Sequence, residues 1–504
     1  MLLNVGNLIE PVSGRRWDRS EVRRQVQTRI NSYQSQGFAQ GDRVLIHFGN
    51  RLEFFAELLA IWRLGGCAIP VDSRLTRYEI ATLADAAAAS FSVIDGDTNT
   101  DTLTDLGDVT VLHTSQHADR NATPPLSLPY PRLDDDALIL FTSGSTGQPK
   151  GVVHTHRTLN ARWISLQDSF GIVGFHRTLC ILPTHFGHGL ICNCLFPWLL
   201  GCDLYIAPPF SASLIMRLGE LIDEHRITFV STVPSMWSLT LRSARPPKDG
   251  SLQRVHIGSA PLSKNLWQEI QQWTNIQDVI NTYGITETGS WVAGTSDIDI
   301  VPESGLVGSP WGSRIKILDS GSTGDVFTSE PECAPGDEGM IWIMTPALMT
   351  GYFQRADLTN AVVSQGWFKT GDIGLIDDRG RLILKGRERD EINKGGMKVY
   401  PADIDEIVQQ YGPTEDVCAF RIQDDLYGEN VTMAVVLKDG GSETIRGLQE
   451  WIESHLAQHK HPVRWYLVDE IPRTSRGKIN RDTVAKSCES KTPLDLHRVL
   501  QSAN

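Results

Sequence analysis

No run of this chain is apolar for long enough to cross a bilayer. The best stretch, Leu190 to Ala207, is interrupted by Asn193, Pro197 and Asp203. A secretory leader is not expected either, because the N-terminus lacks a basic segment and reaches Glu10 early. There is no cationic excess. Lys plus Arg is 47 against 60 for Asp plus Glu, a net charge of −13. Such a chain is not drawn to a phosphate backbone as a whole, so nucleic acid is excluded as its main partner. A local basic pocket for a small anion is compatible with that balance. Cysteine is sparse, at 8 in 504 residues, and no Cys-x-x-Cys pair occurs. Cys192 and Cys194 have no second pair at ligand spacing. The cysteines read as reduced core thiols, and the expected compartment is a reducing, cytoplasmic one. Repeats and low-complexity tracts are missing too.

What is present is ordinary globular composition, with 40% hydrophobic and 21% charged residues. The length suits about three folding units, or one large layered domain with a smaller partner. Arg43 to Phe48 reads as a strand, Leu52 to Leu64 as a helix and Cys67 to Val71 as a strand. That is the crossover unit from which parallel sheets are built. The rhythm continues with a helix at Ala81 to Ala89 and strands at Ser92 to Asp95, Thr178 to Leu182, Asp203 to Ile206, Ile227 to Val233 and Val255 to Gly258. Ala118 to Asp136 reads as a surface loop. From about Arg314 the pieces become shorter and richer in β signals. Beyond the charged stretch Lys385 to Glu391, strand-like Thr432 to Leu437 and Arg464 to Val468 flank a helix at Ile445 to His455. The expected fold is α/β: a large layered N-terminal domain, with parallel-sheet subdomains and a β-rich subdomain, over 1–386. A small α+β C-terminal domain follows over 387–504.

The strongest local signal runs from Leu138 to Gly151. An apolar strand enters a loop carrying Thr142, Ser143, Gly144, Ser145, Thr146 and Gly147, followed by Lys150. Backbone N–H groups and hydroxyls in such a loop cradle an anion, and the lysine adds a cation; a polyphosphate needs this arrangement. It is not a Walker A loop, because Lys150 is followed by Gly151 rather than Ser or Thr. A second element, Asn281 to Gly289, offers an aromatic face at Tyr283, a hydroxyl at Thr286 and a carboxylate at Glu287. A purine stacks on such a ring. A carboxylate beside phosphates implies a cation between them, and Mg²⁺ is the natural one. Asp372, after Gly371, is placed to accept hydrogen bonds from both hydroxyls of a ribose.

Together these motifs resemble the adenylate-forming superfamily of acyl-CoA synthetases, carrier-loading adenylation domains and luciferases. The resemblance covers nearly all of the chain, and it implies further roles. In Leu182 to Leu190, Phe186 matches the aromatic gate of the acyl pocket, flanked by His185 and His188. Gly258, Ser259 and Ala260 match the segment lining the adenine and acyl pockets. Arg387 matches a basic companion near the ribose, and Arg389 falls at the hinge of a mobile C-terminal domain. Gly395 and Gly396 match the loop lining the thiol tunnel, and Lys478 the catalytic lysine. The implied cofactors are ATP, Mg²⁺ and coenzyme A, or the phosphopantetheine of a separate acyl carrier protein. The implied reaction makes an acyl-adenylate from a small-molecule carboxylic acid, releases pyrophosphate and transfers the acyl group to a thiol.

The acid is less defined. The stretch Pro183 to His188 has no acidic residue to hold an α-amine, which weighs against an amino acid. Gly284 has no side chain, which leaves room beyond acetate. Trp237 and Trp291 as pocket caps favour a medium-sized or aryl acid. His185 with His188, and His455 with His459 and His461, have histidine spacing suggestive of metal, but no further ligand accompanies either group. The resemblance also implies a rotation about Arg389 that exchanges Lys478 for the Gly395–Gly396 loop. Arg389→Pro is therefore expected to spare pyrophosphate release and impair thioester formation; equal loss of both, measured in parallel, contradicts the hinge.

Overall fold

The computed structural model describes residues 4–73, 75, 77–95, 106–116, 131–143, 149–208, 211–296, 300–319, 332–394, 397–424, 428–456, 458–474 and 477–494. Two compact units divide the chain. One comprises 1–302, 307–315 and 343–368; the other comprises 303–306, 316–342 and 369–504.

The first unit holds two sheets. In one, Asp136–Ser143, Cys67–Pro70, Arg43–His47, Phe91–Ile94 and Thr110–His113 run parallel, and Pro149–Thr155 and Gly351–Tyr352 add antiparallel strands at one edge. In the other, Val279–Ile285, Arg254–Gly258, Phe229–Thr232, Arg177–Cys180, Asp203–Ile206 and Leu8–Ile9 run parallel, while Ser290–Gly294 turns back antiparallel on Val279–Ile285. The helix Leu52–Arg63 is apolar on nearly every face and buried along its length, as a helix in a core must be. Its Phe55 meets Trp198 edge-on at 5.3 Å, and both belong to one hydrophobic cluster. Asn50, just before this helix, ties the two sheets together. Its amide nitrogen donates to the Leu182 and Ala207 carbonyls at 2.9 and 3.0 Å, and its oxygen accepts from Thr184 N–H at 3.0 Å.

The second unit contains the strands Trp367–Ile376 (from Lys369) and Leu382–Arg387, joined by the Asp377 to Gly380 turn. It also contains a sheet in which Thr414–Asp424 pairs with Gly428–Leu437, and Arg464–Leu467 adds parallel. Successive residues of the long strand serve opposite faces. Val417 and Ala419 pack with Ile404, Leu448 and Ile452 from helices Pro401–Gln409 and Ser442–His455. Cys418 and Phe420 pack with Val484 and Cys488 from Arg481–Glu489. No helix among the described residues is long and apolar enough to cross a membrane.

The expected elements are present, with shifts at their ends. The helix expected at Ala81 to Ala89 spans Arg77–Ala86 and stops where Ala88 turns left-handed (φ 46°). The Leu190 to Ala207 stretch opens with a π-helical segment, His188–Leu195, which apolar periodicity does not announce. Of the loop expected at Ala118 to Asp136, residues 118–130 lie outside the described residues, and Asp136 already begins a strand.

One expectation is corrected. A Cβ built on Gly284 would lie 1.8 Å from the Ser290 carbonyl oxygen, at a register shift in the hairpin. The missing side chain makes room for backbone, not for an acyl group. Gly284→Ala is expected to cost about 1–3 kcal/mol of stability through this overlap. Thermal unfolding checks it, and an unchanged midpoint contradicts the packing.

Candidate active site

The first unit gathers several motif residues at the carboxyl ends of its strands, where open α/β sheets bind ligands. Strand Val279–Ile285 ends in a short turn, Thr286–Thr288, closed by Gly289 at φ 72°, and Gly289 N–H donates to the Thr286 carbonyl at 3.1 Å. Three successive carbonyls of this turn receive donors from outside it. His154 Nε2 lies 2.8 Å from the Thr286 oxygen. Met349 N–H donates to the Glu287 oxygen at 2.7 Å. Arg162 Nη2 donates to the Thr288 oxygen at 2.9 Å.

The Glu287 carboxylate is held as well. Tyr352 Oη donates to its Oε1 at 2.8 Å, and burial together with this carboxylate pushes the phenol pKa up. Tyr352 therefore remains a donor at working pH. On its other side the Lys150 Nζ sits 5.7 Å from the Tyr352 ring centroid, a cation–π distance. The ring thus lies within reach of both the lysine and the carboxylate. Thr142 faces Lys150 across the hairpin made by Asp136–Ser143 and Pro149–Thr155. Gly144, Ser145, Thr146 and Gly147 lie outside the described residues, as does the Ser143 side chain.

The segment Leu182 to Leu190 converges on the same place. A Cβ on Gly187 would come within 3.7 Å of Thr286 Oγ1. The neighbouring Phe186 is buried, 5.8 Å from the His188 ring. His188 is bracketed by hydroxyls, with Ser259 Oγ 2.9 Å from Nδ1 and Ser231 Oγ 2.6 Å from Nε2. Ser259 adopts φ 68°, a costly backbone for a serine. Gly258 beside it has no room for a side chain, since a Cβ would lie 2.2 Å from Thr282 Oγ1. Ala260 follows in the same turn. Trp291 packs on His188 at 5.4 Å, whereas Trp237 donates to Thr232 Oγ1 and packs edge-on against Trp273. His185 Nε2 sits 3.5 Å from an Asp72 carboxylate, a partner 113 positions away that no local spacing reveals. Tyr283 is buried.

In the second unit, Asp372 and Arg387 stand directly opposite one another on adjacent antiparallel strands, with Nε 2.8 Å from Oδ1. Gly371, within the same strand just before Asp372, has a positive φ of 72°. Lys478 follows Gly477 (φ 75°) in a tight turn in which Thr474 N–H donates to the Lys478 carbonyl at 2.8 Å. Gly395, Gly396 and the side chain of Arg389 lie outside the described residues. His455 stacks on Trp451 at 3.8 Å, and its Nδ1 lies 2.8 Å from the Trp451 carbonyl; His461 bonds the Leu456 carbonyl. No group of three or more metal-ligating side chains occurs among the described residues. A single carboxylate, Glu287, fits a Mg²⁺ that keeps its waters and shares phosphate oxygens.

The profile described as AMP-binding enzyme matches residues 7–353, and that of the AMP-binding enzyme C-terminal domain matches 403–478. The chain belongs to the AMP-binding enzyme family. It is 29% identical to a 2-succinylbenzoate–CoA ligase of Geobacillus sp. (strain WCH70), over 92% of this chain and 90% of that one. It is 28% identical to a 4-chlorobenzoate–CoA ligase of Arthrobacter sp., over 95% and 91%. The solved structure of ATP-bound MatB from Rhodopseudomonas palustris superposes with a TM-score of 0.85 at 25% identity, covering 97% of each chain. These agree with the α/β fold of a large N-terminal and a small C-terminal domain.

Sequence reasoning missed Tyr352, His154 and Arg162. Their partners lie 65, 132 and 126 positions away, and only the position of His154 and Arg162 just after the glycine-rich loop hinted at them. Tyr352→Phe removes the donor from Glu287. A hydrogen bond to a charged group of this kind is typically worth enough for a roughly tenfold effect. The Mg²⁺ concentration for half-maximal activity is expected to rise by about that factor, with little change in melting temperature; an unchanged Mg²⁺ dependence contradicts the role.

Proposed function

We propose that this family member is an AMP-forming acid–coenzyme A ligase acting on a compact carboxylic acid. A substrate carboxylate oxygen attacks the α-phosphorus of ATP, and pyrophosphate leaves with the electrons of the broken P–O bond. A thiol sulfur then attacks the acyl carbon, losing its proton, and AMP departs. The observation that carries this reading is the turn Thr286–Thr288, which presents a hydroxyl and a carboxylate side by side with backbone and carboxylate both fixed. Pre-set groups of this kind stabilise developing charge without reorganising during the step.

Thr286 donates to a phosphate oxygen. Glu287 is the residue that would hold Mg²⁺, which when bound neutralises phosphate charge. Lys150, with the loop from Thr142 to Gly147, receives the leaving pyrophosphate. Asp372 accepts from the ribose hydroxyls, and the adjacent Arg387 keeps its carboxylate in line. Tyr283 and the Gly258–Ala260 turn border the adenine. Phe186, His185, His188 and Trp291 border the acyl group. Lys478 supplies the cation at the reacting carboxylate. The small domain, 387–504, then pivots near Arg389 so that Gly395 and Gly396 line the path of the thiol.

The two relatives named above are CoA ligases for acids that carry an aromatic ring, which supports coenzyme A as acceptor and a medium-sized or aryl acid as substrate. All eight cysteines are unpaired, which fits a reducing cytoplasm. The test is a mass-spectrometric product assay with ATP, Mg²⁺, a pool of carboxylic acids and coenzyme A. Acyl-CoA and AMP are expected, with Lys478→Ala lowering product formation roughly 100- to 1000-fold. Adenylate and pyrophosphate without transfer to coenzyme A would instead assign a carrier protein as acceptor. Full activity of the Lys478 variant would contradict the mechanism.

A further inference from the structure

We propose that His154 is a positioning residue for Thr286, acting through the neutral tautomer that donates from Nε2 to the Thr286 carbonyl. His154 is fully buried on strand Pro149–Thr155, directly after the glycine-rich loop. Its Nε2 is 2.8 Å from the Thr286 carbonyl oxygen, and its Nδ1 is 3.2 Å from Thr158 Oγ1. A carbonyl only accepts, so Nε2 carries the proton. Burial holds the ring pKa down at about 4, with the Arg162 cation acting in the same direction, so the ring is neutral and Nδ1 is an acceptor. The Thr158 hydroxyl is then the donor to Nδ1, although the Thr155 carbonyl at 3.1 Å competes for its proton. Thr158 lies in the first turn of helix His156–Phe170, capped by Thr155. One rigid path therefore joins that helix, the strand leaving the glycine-rich loop, and the turn bearing Thr286 and Glu287.

The opposite tautomer would aim the Nε2 lone pair at the carbonyl oxygen and repel the turn. A leucine at position 154 would leave the carbonyl without this donor. Among the described residues, Arg162 on helix His156–Phe170 is the charged group with an electrostatic effect on the ring. The inference rests on Thr286 contacting a phosphate of ATP, as proposed above.

Two readouts test it: affinity for a fluorescent ATP analogue with Mg²⁺, and the rate of ATP–pyrophosphate exchange with the acid the enzyme accepts. His154→Leu is expected to weaken nucleotide binding or slow exchange at least tenfold, with the KM for the acid unchanged. His154→Gln, whose amide donates from a similar reach, is expected to return within about threefold of the parent. Thr158→Val, which keeps the Nε2 donor but leaves Nδ1 without the hydroxyl that faces it, is expected to fall between the two. If His154→Leu does not fold, the Thr158→Val and His154→Gln pair decides. Parental binding and exchange in a folded His154→Leu, or in Thr158→Val, overturns the inference, as does failure of Gln to rescue. A parent that binds nucleotide tightly yet makes no acyl-CoA would sink the proposed reaction instead, while the binding comparison among variants still judges His154.

Discussion

The Thr286–Thr288 turn draws donors from outside it for three successive carbonyls. A tight turn beyond a strand end leaves those of Thr286, Glu287 and Thr288 without ladder partners, and buried carbonyls without donors are costly. The fold brings a histidine ring, a backbone amide and a guanidinium to them from three separate segments. The strand from the glycine-rich loop supplies the first, the segment before Tyr352 the second, and the following helix the third. The turn is consequently fixed from several directions, and its position is set relative to the strand Pro149–Thr155.

The electrostatics of these supports follow from the same burial. Arg162 is fully buried, and no carboxylate pairs with it among the described residues; its two Nη atoms donate to the Trp311 and Thr288 carbonyls and to Thr345 Oγ1. Burial draws its pKa down to about 10, still well above neutrality, so the cation persists. The same burial pushes the Cys192 thiol up to about 11, so that neighbour stays neutral. A fixed positive charge behind the turn favours negative charge beside it. His154, by contrast, is held neutral and serves by direction alone. Tyr352 completes the set by fixing the Glu287 carboxylate while lying near Lys150.

The sequence made much of this legible, but unevenly. The alternation of strands and helices revealed the layered α/β fold, because apolar runs and their periods report local structure directly. The glycine-rich loop, Thr286, Glu287, Asp372 and Lys478 stood out because their chemistry is concentrated in short motifs. The Asp372–Arg387 pair is seen to face across adjacent strands, a register that spacing alone did not fix. His154 and Arg162 remained hidden because what matters is the distant carbonyl each one meets, and carbonyls carry no sequence signature. Gly284 misled for a related reason: its absent side chain suggested space, but the Ser290 backbone fills that space. The His185–Asp72 contact was equally silent, because it joins loops from two different sheets.

The contacts to its three carbonyls hold the Thr286–Thr288 turn in place before any nucleotide arrives. Its direct reporter is the Gly289 amide, which bonds to the Thr286 carbonyl inside the turn. Hydrogen exchange of this amide, measured in the free protein and again with Mg²⁺ and a non-hydrolysable ATP analogue, tests it. The account predicts strong protection in the free protein and little further gain on binding. Rapid exchange in the free protein, with protection appearing only when the nucleotide is added, would contradict it.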